Sequence, residues 1–279
     1  VTNADPYTAD GSYRCQSLWM LGHPDQARAV SVEKDEFARR RNHPFDLCFA
    51  LTIGALTFDY RGEPEELLAR TNEAIRIGRQ HRVPLMSEMM AQIITGIGQL
   101  RGGRIGESID QISHSLAALR GTGHRAWVPY VHAVLGEAMS LGGDLEAGRA
   151  EIVRAVQLMR SQGEHVHLPE ALRLHGWVTW KLGDVAEGEA ILQRSVDVAV
   201  EQGARAWHLR TLTTLAELQI DRGDDSVALR ALGPLFDSFT EGAGTADHVC
   251  AAALLERAAA RAATSARSAS AGSKSGGIT

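Results

Sequence analysis

The chain has 279 residues and a formal net charge of −5 at pH 7, and 44% of its residues are hydrophobic, 23% charged and 5% aromatic. An acidic chain without a stripe of basic and aromatic residues is unlike proteins that follow a phosphate backbone, so we expect no direct binding to nucleic acid. No apolar run reaches the roughly 18 residues that a transmembrane helix needs, and three widely spaced cysteines argue against a disulfide framework. We therefore expect a cytoplasmic location and no association with membranes.

Six glycines recur at a nearly constant interval. Consecutive members are separated by 40, 41, 40, 40 and 40 residues, and each follows an apolar segment of helical period. A small residue stands seven positions before every one of them, and in five of the six cases another stands five positions after. The pattern indicates pairs of antiparallel helices, because glycine ends a helix in a left-handed conformation and small residues let helix axes cross closely. The predicted turn glycines are Gly22, Gly62, Gly103, Gly143, Gly183 and Gly223.

A single helix pair cannot bury its apolar faces, so successive pairs must stack. The spacing resembles the tetratricopeptide repeat, in which a small residue, a glycine turn and a second small residue fall at these offsets; that repeat is usually about 34 residues long. The resemblance implies an all-α fold, a right-handed α-solenoid of about six tetratricopeptide-like helix pairs with a period of about 40 residues. The alternative, a non-repetitive helical bundle, would need six evenly spaced glycines by chance.

Both ends of the chain depart from the repeat. Only residues 10–21 precede the first turn glycine in a helical pattern, so we expect a disordered or truncated N-terminus over residues 1–12. The repeats occupy residues 13–240, and a C-terminal capping helix follows within residues 241–263. Residues 264–279 are rich in serine, glycine and alanine, and we expect them to form a disordered tail.

Several stretches resemble one bacterial family more closely than a generic repeat does. They are SLWMLGHPDQA at residues 17–27, EQGARAWHLR at 201–210, PLF at 234–236, FTEG at 239–242 and TAD at 245–247. These are similar to the C-terminal repeat region of signalling proteins in which a nucleotidyl cyclase or a winged-helix domain precedes a P-loop ATPase module. The chain itself contains no GxxxxGK[ST] loop, so the resemblance covers only the repeat region.

The resemblance leaves three hypotheses open. The first is a non-catalytic interaction and regulatory module, the C-terminal sensor or scaffold of a bacterial nucleotidyl (adenylate or guanylate) cyclase and ATPase signalling protein. Its partner would be a protein, a peptide or the upstream domains of the same polypeptide. The second is the ligand-sensing repeat domain of an ATP-dependent winged-helix transcriptional activator. The third is a free-standing scaffold.

Candidate chemistry is sparse. His165 and His167 form an HxH motif near Glu164 and Glu170, a set that resembles part of a metal site, but no second ligand pair accompanies it. No serine lies in the GxSxG pattern of a hydrolase. We therefore expect no enzymatic activity, no metal site and no cofactor in this chain.

Binding is expected on the concave groove. In repeats of this type the first helix of each pair lines the groove, with exposed positions 13, 10, 6, 3 and 2 residues before the turn glycine. Trp177 and Trp180 could anchor a partner there or could turn into the core between repeats, whereas Trp127 and Trp207 recur in register and favour a packing role. The predicted groove residues are Tyr130, Glu137, Glu170, Arg173, Trp177, Trp180, Lys181, Arg210 and Glu217.

Overall fold

The protein is described from a computed structural model, which covers residues 4–120, 122–123, 125–223 and 227–274. The described residues form helices joined by short turns and contain no strand, which confirms the all-α prediction. The helices are α1 Pro6–Met20, α2 Pro24–Arg41, α3 Pro44–Arg61, α4 Pro64–His81, a π-helical segment Leu85–Met90, α5 Ala91–Arg101, α6 Ile105–Arg120, α7 Val128–Leu141, α8 Leu145–Gln162, α9 Leu168–Lys181, α10 Val185–Glu201, α11 Arg205–Asp221, α12 Val227–Asp237 and α13 Ala246–Lys274.

The helices form stacked pairs that curve in one direction. Each odd-numbered helix from α1 to α11 pairs with the even-numbered helix that follows it, and each odd-numbered helix also contacts the next odd-numbered one. The even-numbered helices make no comparable contacts with one another, so they lie on the outside of the curve. We call α1, α3, α5, α7, α9 and α11 the inner helices and α2, α4, α6, α8, α10 and α12 the outer helices. The architecture is the predicted α-solenoid.

All six turn glycines lie between an inner helix and its outer partner, with φ between 76° and 101°. Residues with a Cβ rarely adopt this backbone conformation, which explains why glycine recurs at each of these turns. Behind two of the turns an aspartate caps the outer helix: Asp144 accepts from the backbone N–H of Ala147, and Asp184 from that of Glu187.

The one irregular interval has a structural cause. The spacing of 41 residues between Gly62 and Gly103 contains the π-helical segment Leu85–Met90 at the start of the third inner helix. A π turn holds one more residue than an α turn. The extra residue is therefore absorbed inside the helix, and the following repeats keep their register.

The two ends differ from the sequence prediction. Residues 6–12 belong to α1 and are not disordered, because Asp5 caps the helix by accepting from the N–H groups of Tyr7 and Thr8 and Pro6 occupies its first turn. At the other end α13 continues to Lys274, so residues 264–274 are helical and extend a helix whose residues 251–263 are rich in alanine. Residues 275–279 of the predicted tail lie outside the described part of the chain. The repeats end with α12 at Asp237, and α13 begins at Ala246.

The array curves until its ends meet. Helix α1 contacts α11, ten helices later in the chain. We call the meeting line the seam: Gly22–Asp25 and Gly62 lie on one side, and Phe239–Ala246 lie on the other. The backbone N–H of Gly242 donates to Asp25 Oδ2 at 3.0 Å, and the side-chain amide of Gln26 donates to Glu241 at 3.4 Å. The inner helices therefore enclose an interior rather than an open groove.

The seam explains a difference between the turn glycines. A Cβ added to Gly62 would overlap the Ala246 methyl group, whereas one added to Gly143 would meet no described atom within 4 Å. We predict that Gly143→Ala lowers the free energy of unfolding by about 1 kcal/mol through its positive φ. Gly62→Ala should cost at least ~1 kcal/mol more, because the seam must also separate. Urea denaturation followed by circular dichroism measures the free energy of unfolding of both variants. Equal losses would contradict the close packing of Gly62 against Ala246 at the seam.

Candidate functional site

A chain of alternating charges runs through the interior. Arg101 bridges Asp59 and Glu137, with both nitrogen–oxygen distances 2.8 Å, and so links α3, α5 and α7. Arg173 of α9 lies 4.0 Å from Glu137 and 2.7 Å from Glu170. Arg210 of α11 then joins Glu170 at 3.5 Å to Asp247 of α13 at 2.8 Å. We call this series the ion-pair chain: Asp59, Arg101, Glu137, Arg173, Glu170, Arg210 and Asp247.

The ion-pair chain is largely removed from water. Glu170 is 2% exposed, and Arg101, the most exposed member, has 22% of its side chain accessible. Burial opposes ionisation of Glu170, but Arg173 and Arg210 outweigh it and lower the pKa of this carboxyl to about 2. Burial likewise opposes the charge of Arg173, yet Glu170 and Glu137 raise its pKa. Both groups are therefore charged at neutral pH.

An aromatic cluster lies beside the ion-pair chain and spans the seam. It consists of Trp19, Tyr60, Tyr130, His167 and Trp207. The ring centroids of Trp19 and Trp207 are 4.6 Å apart, which joins α1 to α11, and those of Tyr130 and His167 are 4.2 Å apart. The hydroxyl of Tyr130 donates to Asp59 at 3.0 Å, so the cluster and the ion-pair chain form one interior.

Arg210 belongs to both groups. Its guanidinium lies 5.1 Å from the Trp19 ring centroid and 4.9 Å from that of Trp207, within the range of cation–π attraction. The same guanidinium donates to the backbone oxygen of Tyr60 at 2.9 Å. Arg210 thus connects the last inner helix to the first two.

Two buried ring nitrogens in the interior have no hydrogen-bond partner. Tyr60 Oη lies 2.7 Å from His167 Nε2, while His167 Nδ1 and Trp207 Nε1 make no bond. Burial lowers the pKa of His167 to about 4, so its ring is neutral at pH 7. When the Tyr60 hydroxyl donates to Nε2, the hydrogen of the neutral ring is on Nδ1. The interior then offers two N–H groups to a hydrogen-bond acceptor.

The structure separates the predicted groove residues into three sets. Tyr130, Glu137, Glu170, Arg173 and Arg210 come together in the interior. The prediction that these positions are exposed is wrong, because the array closes over them. Trp180 is also buried, since it packs beside Gly188 into the core and Arg222 covers its ring. Trp177 is half-buried against the core, and Lys181 and Glu217 are the exposed members of the predicted set.

Several interior residues were missed by the sequence reasoning. Asp59, Asp247 and His167 were not among the predicted groove residues. A signal exists for Asp247 but not for Asp59: Arg101 and Glu137, Glu137 and Arg173, and Arg210 and Asp247 each stand 36 or 37 residues apart, about one helical turn less than the 40-residue period. Opposite charges at that spacing mark facing positions on successive odd-numbered helices. Asp59 stands 42 residues before Arg101 and lies outside this pattern.

The two histidines of the HxH motif have different surroundings. His167 faces the aromatic cluster, and the backbone oxygen of His165 accepts from Gln202 at 2.9 Å. Within the described ranges, no three His, Cys, Asp or Glu residues are arranged to hold a metal ion. None of the described helices has the length and apolar character of a membrane span.

Comparisons with known proteins agree on the fold. A tetratricopeptide repeat family model matches residues 12–31, at the junction of α1 and α2. The comparison with curated proteins gave no match. A Rap protein in complex with competence and sporulation factor superposes with a TM-score of 0.64 at 11% identity, covering 92% of this chain and 76% of the other.

Two further solved structures are similar. The apo form of RapI has a TM-score of 0.55 at 10% identity and covers 89% of this chain and 95% of its own. A signal transduction ATPase with a tetratricopeptide repeat sensor from Pyrococcus horikoshii has a TM-score of 0.52 at 11% identity, covering 90% of this chain and 38% of its own. These likenesses show that the chain has a tetratricopeptide-like helical-repeat fold.

Breaking the ion-pair chain should destabilise the protein strongly. Arg173→Met removes the positive charge that lies between the carboxylates of Glu137 and Glu170. We therefore predict a loss of about 3 kcal/mol in the free energy of unfolding. The matched control is Arg104→Met, because Arg104 is exposed and forms a 3.3 Å pair with Glu107 in the next helix turn; it should cost less than ~0.5 kcal/mol. Urea denaturation of both variants measures the difference. Equal costs would show that the ion-pair chain does not contribute to the stability of the protein.

The neutral, buried His167 predicts a specific pH dependence. Its pKa is about 4 in the folded protein against about 6.5 when unfolded, so its contribution is complete above pH 6.5 and is lost as the pH falls toward 4. This group alone should remove about 3 kcal/mol between pH 7 and pH 4. His167→Gln should therefore show a shallower loss than the wild type, while the exposed His114→Gln should not. Parallel pH profiles for all three proteins would refute the assignment.

Proposed function

We propose that the chain is a non-catalytic interaction and regulatory module whose inner helices bind a protein or peptide partner. The observation that carries the proposal is the chemistry of the interior. An interior needed only for stability would gain as much from apolar side chains, because burying paired charges rarely stabilises a fold beyond that. Here six charged side chains lie on the inner helices and a seventh, Asp247, lies on α13, and two buried ring nitrogens, His167 Nδ1 and Trp207 Nε1, have no hydrogen-bond partner. Such groups suit a surface that is uncovered when the seam opens.

Part of the inner surface stays accessible in the closed ring. Lys181 and Glu217 are exposed on α9 and α11, and Glu217 lines a cavity of about 280 Å³ together with Thr213, Cys250 and Arg257. Trp177 is half-buried on the same inner helix as Lys181. We propose this accessible part as the first point of contact for a partner.

The second part of the proposal concerns the larger protein to which the module belongs. The resemblance of residues 17–27 and 201–210 supports a cytoplasmic C-terminal sensor or scaffold of a bacterial nucleotidyl cyclase and ATPase signalling protein. The Pyrococcus structure, in which a repeat sensor accompanies an ATPase, is compatible with that arrangement. The coding sequence upstream discriminates the hypotheses: a P-loop and a cyclase core support the first, a winged-helix segment supports the transcriptional activator, and a stop codon supports a free-standing scaffold.

A random-peptide display selection against the immobilised protein tests the binding function. We predict that recovered peptides bind at least about tenfold more weakly, a change of ~1.4 kcal/mol, to the double variant Lys181→Glu, Glu217→Lys. The control double variant, Arg194→Glu with Glu201→Lys, makes the same charge changes at exposed positions of the outer helix α10. Failure to recover peptides, or equal weakening by both variants, would contradict the proposal.

A further inference from the structure

A second surface, outside the interior, lies at the end of the array. A cavity of about 700 Å³ opens between the end of α12 and the first turns of α13. We call it the terminal cleft. Its apolar lining comes from Phe236, Phe239, Val249 and Ala252. The volume is within the range that binding sites in proteins occupy.

The position of α13 in the repeat explains why the cleft is open. Every inner helix from α1 to α11 has an outer partner that covers one of its faces. Helix α13 packs against α11 and α12, and no helix follows it within the described residues. Its exposed face carries Val249, which is 56% accessible. No described helix therefore covers this face of α13.

The rim of the terminal cleft has one sign of charge. Asp237, Glu241 and Glu256 are the charged residues of its described lining, and no lysine or arginine is among them. Three carboxylates around an apolar floor favour an occupant that is apolar on one side and basic along its flank.

Two buried polar atoms in the terminal cleft lack hydrogen bonds. His248 is 7% exposed and lines the cleft; its Nδ1 lies 2.9 Å from Thr245 Oγ1, but its Nε2 makes no bond. Glu241 Oε1 is also buried without a hydrogen bond, although His23 Nδ1 lies 3.8 Å away. Unpaired buried polar atoms are costly, so the residues beside the cleft retain unused hydrogen-bonding capacity.

We propose that the terminal cleft binds an amphipathic helix of a protein partner. The apolar face of that helix covers Phe236, Phe239 and Val249, and its lysine or arginine side chains pair with the three rim carboxylates. The partner helix then lies between the end of α12 and the first turns of α13.

The probe for the test is a synthetic amphipathic helical peptide with leucine on one face and arginine on both flanks. Its control is the same peptide with glutamate in place of arginine. Fluorescence anisotropy at physiological salt should show that the arginine peptide binds at least about tenfold more tightly than the glutamate peptide. Similar affinities for the two peptides would overturn the proposal.

Protein variants distinguish binding in the terminal cleft from nonspecific attraction of a basic peptide to an acidic protein. Val249→Asp and Glu256→Lys should each weaken binding of the arginine peptide at least about fivefold, or ~1 kcal/mol. The controls Val200→Asp and Glu146→Lys introduce the same changes at exposed positions of α10 and α8 and should have no effect. Equal weakening by test and control variants would overturn the proposal, as would a wild-type dimer that Val249→Asp dissociates, since a second copy would then fill the cleft. The inner-surface selection uses other residues, so either proposal can fail alone.

Discussion

Charges buried away from water are tolerated only where each one meets an opposite charge, and the ion-pair chain satisfies this requirement across six helices. Its order alternates strictly from Asp59 to Asp247, so removing one member affects the neighbours on both sides. Stability in an open solenoid is close to a sum over neighbouring repeats. Here the interior adds contacts between repeats that are distant in sequence, and we expect opening to be a cooperative step shared by the whole array.

Closure also depends on small geometric details at the seam. Gly22 and Gly62 serve two purposes, since they end inner helices with positive φ and leave room for Phe239 and Ala246. The π-helical segment at Leu85–Met90 absorbs one extra residue, so that the later repeats reach the seam in register. The features that distinguish this fold from an array of uniform repeats therefore lie at the seam and in the segment that brings the later repeats to it in register.

The repeat could be predicted from the sequence, whereas its closure could not. The glycine interval and the small residues at fixed offsets are local signals, and they were sufficient for the helix pairs and the turns. Whether Arg210 reaches Trp19 and Tyr60 depends on the superhelical twist accumulated over five repeats, which no local pattern reports. Positions such as Tyr130 and Glu170 were therefore placed on the correct helices but predicted to be exposed. The cap at Asp5, which a proline-containing first turn indicates, was overlooked.

Arg210 and its partners hold the two ends of the array together. Small-angle X-ray scattering of the wild type and of Arg210→Met tests this connection, with Asp247→Asn as a second, milder break of the Arg210–Asp247 pair. We predict that the wild type scatters as the closed ring. Each variant should keep its helical circular dichroism while its radius of gyration increases. A folded variant with the same radius of gyration as the wild type would show that Arg210 and its partners do not hold the ends together.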